Sequence, residues 1–165
     1  MSDRFKLGLY LETTTFNWYF DERKGHDDVV RLFEAVKAGE FAGYTSRFVA
    51  DELKQASEPK RTDMMNLIDD YGIIVLPTHP KAASLAQAYR DAGIIPQSQA
   101  YDSLHIATAS LYEIEAVVSY NFHHINRNKV KTLIPDINAA WDLGGILFFT
   151  AEEVFNYAGL LQRRG

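Results

Sequence analysis

Short apolar segments alternate along this chain with segments whose apolar residues have helical spacing. The clearest strand is IIVLP at 73–77, which is rich in β-branched residues and ends at proline; other strands are expected at 6–11, 41–46, 116–120 and 145–150. Helical segments lie between most of these strands, and parallel strands need such crossovers. The alternation therefore predicts an α/β fold with a mostly parallel sheet that helices cover on both faces.

The helical segments have recognisable beginnings and ends. Asp27 and Ser46 are expected N-caps, Pro59 suits a first turn, and Gly39 and Gly72 suit helix ends. The helices are expected at 27–38, 46–56, 59–71, 79–92, 99–112 and from 151 onwards. No repeat and no Pro/Gly-rich linker divides the 165 residues, so a single domain over 1–165 is expected.

The composition is that of a globular protein, with 47% hydrophobic and 24% charged residues. The chain has no cysteine, which excludes a disulfide framework and a thiolate site. Its N-terminal apolar run is too short for a signal sequence or a membrane span, so a soluble cytoplasmic protein is expected.

A formal net charge of −5 argues against a protein that binds nucleic acid by general electrostatics, which needs Lys and Arg at the phosphates. A nuclease remains possible, because a divalent cation bound at clustered carboxylates reverses the local sign of charge.

Acidic and amide side chains occur where chemistry is expected in such a fold, at the carboxyl ends of the strands. Glu12 directly follows the first strand, Asn121 follows the strand at 116–120, and Asp102 begins a helix. Glu52 borders the apolar side of its helix. Each has an ordinary alternative: a first helical turn for Glu12, a solvated helix edge for Glu52, a helix cap for Asp102 and a turn for Asn121.

Taken together, three acids and an asparagine are expected around one end of one sheet. Carboxylates held that closely repel one another unless a cation joins them. An all-oxygen ligand set suits Mg²⁺ or Mn²⁺, and a hydrated cation of this kind suits hydrolysis of a phosphodiester. The spacing of the histidines does not support zinc; His105 alone is typical of a packed helix residue, and His123 and His124 are adjacent.

Four segments together resemble the PIN-domain nucleases, in particular the VapC-like toxins of bacterial toxin–antitoxin pairs. The most specific are DSLHIATA at 102–109 and VVSYNFHHI at 117–125, while LYLETT at 9–14 and ADEL at 50–53 are less specific. The resemblance covers about residues 6–150. It implies an α/β/α sandwich and a metal-dependent endoribonuclease activity on RNA.

Residue by residue, the resemblance implies that Glu12, Glu52 and Asp102 are the three acidic positions of a metal site. Asn121 matches a fourth position, often an aspartate, and Thr14 matches a Ser/Thr that orients a water at the metal. The sequence departs from the family pattern at two positions. The first acid is usually the shorter Asp, but here it is Glu12. The fourth position is the neutral Asn121, which should weaken the binding of a second metal.

The resemblance also implies a small antitoxin partner and a homodimer. The segment FNWYF at 16–20 has too many large aromatic residues for one short helix to bury, which favours a role that is half core and half interface.

Three other functions make different demands on the sequence. A PIN fold with weak or no catalysis, kept for binding RNA or a protein, stays open. A haloacid-dehalogenase phosphatase needs an aspartate nucleophile with a second Asp two residues on, and Glu12-Thr13-Thr14 supplies neither. A dinucleotide-binding enzyme would need G-x-G-x-x-G after the first strand, and none is there.

Overall fold

Five parallel strands form the central sheet of the computed structural model, which describes residues 6–121 and 127–164. The strand order is β3-β2-β1-β4-β5, and every neighbouring pair is parallel. The strands are β1 Leu7–Leu11, β2 Phe41–Ser46, β3 Ile74–Leu76, β4 Ala116–Val118 and β5 Leu147–Phe149. The predicted parallel sheet is thus confirmed, and β1 lies at its centre.

Helices flank this sheet in an α/β/α sandwich. They are α1 Thr13–Phe20, α2 His26–Lys37, α3 Arg47–Leu53, α4 Lys60–Asp70, α5 Ala82–Asp91, α6 Ala100–Leu111, α7 Arg127–Ala140 and α8 Ala151–Arg164. Helix α2 contacts α1 and α8, α5 contacts α6 and α7, and α3 contacts α1, α4 and α6. Helix α3 therefore lies between the helix that follows β1 and the helix that precedes β4.

The central position of β1 explains its uninterrupted apolar sequence. All five of its residues are buried, and Leu9, Tyr10 and Leu11 are completely enclosed. A strand covered by helices on both faces has no solvent side, so its sequence does not alternate.

The strand at 73–77 differs from the expectation of a buried strand. It forms β3 at an edge of the sheet, where Ile74 and Val75 are 55% and 41% exposed. An apolar run predicts a strand but does not give its place in the strand order, because that order depends on the crossover connections.

Helix starts also differ in detail. Helix α2 begins at His26 after Gly25, whose φ of 97° suits glycine, so Asp27 lies in the first turn and is not the N-cap. Ser46 does occupy the N-cap position of α3, but its side chain makes no capping hydrogen bond there. Helix α7 was not predicted, and it contains Pro135, a residue that normally ends a helix.

The aromatic segment at 16–20 is mostly accounted for within one chain. Phe16 is fully buried, Trp18 stacks on Tyr120 with ring centroids 4.2 Å apart, and Tyr19 meets Phe33 edge-on. Phe20, at 38%, is the exposed aromatic of the segment. The core half of the expected role is therefore confirmed for Phe16, while the interface half and the homodimer stay predictions.

Within residues 6–121 and 127–164, no helix is long and apolar enough to cross a membrane. His123 and His124, which belong to the VVSYNFHHI segment, lie outside the described residues.

Candidate metal site

The carboxyl ends of three neighbouring strands bring the predicted site residues to one edge of the sheet. Glu12 follows β1, Ser46 ends β2, and Asn121 comes three residues after the end of β4. Helix α6 has its N-terminal end at the same edge, since β4 runs back through the sheet after it. The candidate site thus lies outside the carboxyl ends of the parallel strands, which is where ligands bind in open α/β sheets.

Glu12 is 3% exposed and folds back onto the start of α1. Its Oε1 accepts a hydrogen bond from the backbone N–H of Thr14 at 3.1 Å, which makes Glu12 the N-cap of this helix. Its Oε2 accepts from the Thr14 hydroxyl at 2.8 Å and from the Ser119 hydroxyl. The extra methylene relative to aspartate is accommodated by this turn of the side chain.

Thr14 and Ser119 in turn accept hydrogen bonds from the backbone beyond β4. The N–H of Tyr120 donates to Thr14 Oγ1 at 2.8 Å, and the N–H of Asn121 donates to Ser119 Oγ at 3.0 Å. Two backbone dipoles therefore support the hydroxyls that donate to Glu12. In this arrangement Thr14 positions the carboxylate, and its expected contact with a water stays a prediction.

Burial raises the pKa of Glu12, because a charged carboxylate loses its hydration in the protein interior. The neighbouring His105 and the hydrogen bonds from Ser119 and Thr14 act in the opposite direction but do not cancel the effect. Among the described residues, neither Lys nor Arg forms an ion pair with this carboxylate. A bound cation would stabilise its charged form.

Glu52 reaches the same place from α3 and is held by two donors. Its Oε1 accepts from the Thr13 hydroxyl at 2.6 Å and from Nε2 of His105 at 2.6 Å. Partial burial raises the pKa of Glu52, but the hydrogen bond and charge of His105 and the bond from Thr13 outweigh it and lower the pKa overall. The side chain is 26% exposed, so solvent reaches it.

His105 had no predicted role, yet it is fully involved in the site. It is buried on α6, one turn after Asp102, with Nδ1 2.7 Å from the Tyr10 hydroxyl and Nε2 on Glu52. The available sequence signal was its i+3 spacing from Asp102, which places both side chains on one helix face. That spacing alone did not distinguish it from a histidine packed in the core.

Asp102 and Asn121 are hydrogen-bonded to each other at the N-terminal end of α6. Asn121 Nδ2 donates to both carboxylate oxygens of Asp102, at 3.1 and 3.3 Å. Asp102 lies in the first turn of α6, whose N-cap is Gln99, so it is a helix-start acid but not the cap.

Two of the three predicted metal ligands come together directly. Among the described side chains, the ligand atoms that lie within 4.8 Å of one another belong to Glu12, Glu52 and His105. Asp102 is outside that group, one turn away from His105. The structure therefore brings the predicted carboxylates to the carboxyl ends of the strands. It also places His105, which was not predicted as a ligand, beside Glu12 and Glu52.

Comparisons with known proteins agree with the fold. The model of the PIN domain family matches residues 9–129, and the chain belongs to that family. Among solved structures, it is similar to the toxin VapC20 of Mycobacterium tuberculosis, described as a sarcin-ricin loop cleaving toxin. That match has a TM-score of 0.54 and 12% sequence identity, and covers 70% of this chain and 93% of VapC20. No curated protein sequence matches the chain significantly.

The donor set fits a hard divalent cation. Carboxylate oxygens are the ligands that Mg²⁺ and Mn²⁺ prefer, and Glu12 and Glu52 bring such oxygens together, while Asp102, paired with Asn121, lies outside this group. The burial of Glu12 without a Lys or Arg counter-charge among the described residues is the structural observation that favours such an ion. The same edge carries no cysteine, since the chain has none.

Proposed function

We propose that this PIN-domain protein is a metal-dependent endoribonuclease that hydrolyses RNA phosphodiesters. The observation that supports it most is the convergence of Glu12 and Glu52, with ligand atoms within 4.8 Å, at the carboxyl edge of the sheet. Two carboxylates held this close, one of them buried, repel each other unless a cation lies between them.

In this proposal Glu12, Glu52 and Asp102 hold Mg²⁺ or Mn²⁺. The cation would supply positive charge for the phosphodiester and lower the pKa of an attacking water. Asn121 orients the Asp102 carboxylate through its two hydrogen bonds. Thr14 donates to Glu12 and is the candidate to orient a water.

The likeness to VapC20 supports a biological setting for this activity. We infer that the chain is the toxin of a type II toxin–antitoxin pair, acts in the cytoplasm as a homodimer, and binds a small antitoxin. Exposed Phe20, the last residue of α1, is a candidate contact for one of these partners.

One feature favours a second candidate, a PIN fold with weak or no catalysis that binds RNA or a protein. The carboxylate of Glu12 already accepts three hydrogen bonds, and the fourth position is the neutral Asn121. A carboxylate satisfied in this way depends less on a cation than an unpaired one does.

A cleavage assay separates the two candidates. Total RNA incubated with the purified protein should be cut in the presence of Mg²⁺ or Mn²⁺, left intact in excess EDTA, and cut again after Mn²⁺ is restored. Cleavage that persists in EDTA would exclude the metal-dependent mechanism. Binding of RNA without cleavage at any metal concentration would support the binding module.

A further inference from the structure

A chain of hydrogen bonds ends at Glu52, and its other three members, which are buried, are not among the predicted metal ligands. It runs from Ser46 at the end of β2, through Tyr10 on β1 and His105 on α6, to Glu52 on α3. Successive distances are 2.6 Å for Ser46 Oγ to Tyr10 Oη, 2.7 Å for Tyr10 Oη to His105 Nδ1, and 2.6 Å for His105 Nε2 to Glu52 Oε1.

The chemistry of the chain sets the direction of its hydrogen bonds. A carboxylate accepts, so His105 Nε2 carries the hydrogen that points at Glu52. On the other side of the ring, Nδ1 shares a hydrogen bond with the Tyr10 hydroxyl, and Tyr10 shares one with the Ser46 hydroxyl. All three supporting side chains are at most 1% exposed, so water does not compete for these bonds.

Both ring nitrogens of His105 are therefore engaged before any cation arrives. A cation on Nε2 would have to displace the Glu52 carboxylate, and one on Nδ1 would have to displace Tyr10. The two donors to Glu52, Thr13 and His105, also end on the same oxygen, Oε1. The other oxygen, Oε2, accepts neither of these two hydrogen bonds.

We propose that His105 is a positioning residue: supported by Tyr10 and Ser46, it holds Oε1 of Glu52 and so presents Oε2 to the divalent cation. This inference rests on the proposed metal-dependent function. Groups behind a ligand that fix its orientation raise metal affinity without touching the metal. The Glu52 side chain is long and 26% exposed, and the hydrogen bonds from Thr13 and His105 fix its orientation.

The test is a calorimetric titration with Mn²⁺ of the wild-type chain and three variants. His105→Phe keeps an aromatic ring and removes the donor, while His105→Gln keeps an N–H that reaches the place of Nε2. Tyr89→Phe is the matched control, because it also removes a buried hydroxyl. That hydroxyl belongs to α5 and contacts Ser110 on α6 and Asn138 on α7, not Glu52. Thermal unfolding in EDTA measures the stability of each.

We expect His105→Phe to weaken Mn²⁺ binding about 10-fold or more and His105→Gln to restore it to within about 3-fold of wild type. Tyr89→Phe should lose stability with unchanged Mn²⁺ affinity, which separates positioning from a general loss of order. The expected ranking is therefore wild type and Tyr89→Phe first, His105→Gln close behind, and His105→Phe last.

Two outcomes would overturn the inference alone. Wild-type affinity in His105→Phe would show that Glu52 needs no support, and equal loss in both His105 variants would make the imidazole a direct ligand. A wild-type chain that binds no Mn²⁺ and cuts no RNA would instead refute the proposed function itself, and the inference with it.

Discussion

Asp102→Asn is expected to reduce RNA cleavage by about 10²-fold or more, the scale of losing one preorganised electrostatic contact at a reacting centre. The substitution removes a negative charge from the proposed ligand set but keeps the shape of the side chain. The retained carbonyl oxygen can still accept from Asn121, and asparagine is tolerated in a first helical turn. Single-turnover cleavage of RNA at fixed Mg²⁺ measures the effect.

The matched control for this variant is Asp51→Asn. Asp51 is exposed on α3, next in sequence to Glu52, so the variant makes the same change of charge near the site without touching it. It should cut RNA at the wild-type rate, and both variants should unfold at temperatures close to that of the wild type. Full activity in Asp102→Asn would show that the ligand set is assigned wrongly.

Glu12→Gln should have a comparably large effect, because three donors converge on the Glu12 carboxylate. A glutamine amide presents an NH₂ group to at least one of them, and leaves a buried donor unsatisfied at a cost of about 1–3 kcal/mol. We expect cleavage to fall by about 10²-fold or more together with a lower free energy of unfolding in urea.

Glu12→Asp provides the comparison for the length of the side chain. Aspartate is a preferred N-cap, so it can still accept from the N–H of Thr14 and keep its charge at the edge of the sheet. It should retain cleavage within about 10-fold of wild type. A wild-type rate in Glu12→Gln together with a loss of cleavage in Glu12→Asp would show that cleavage does not depend on a negative charge at residue 12.

The sheet and the edge that carries the site could be predicted from the sequence. The short apolar strands and their helical connections predicted parallel pairing, and parallel strands bring their carboxyl ends to one edge. That rule placed Glu12 and Asn121 together although they are far apart in sequence. It needed only the position of each residue relative to its strand.

The supporting contacts could not be predicted, because they join residues distant in sequence through side-chain geometry. His105 meets Glu52 across 53 residues, and Ser119 meets Glu12 across 107. No local periodicity encodes such pairs, and each residue has a common role elsewhere: histidine in a packed helix, serine at a strand end. Ser46 occupies the N-cap position of α3, as its sequence context predicted. Its hydroxyl is hydrogen-bonded to Tyr10, however, and no local pattern indicates that contact.

Anomalous scattering from crystals soaked in millimolar Mn²⁺ tests most directly whether these carboxylates hold a divalent cation. We expect a Mn²⁺ peak at the carboxyl ends of the strands, with oxygens of Glu12, Glu52 and Asp102 among its ligands and His105 still hydrogen-bonded to Glu52. Crystals that show no Mn²⁺ there, with Glu12 and Glu52 unchanged, would contradict it.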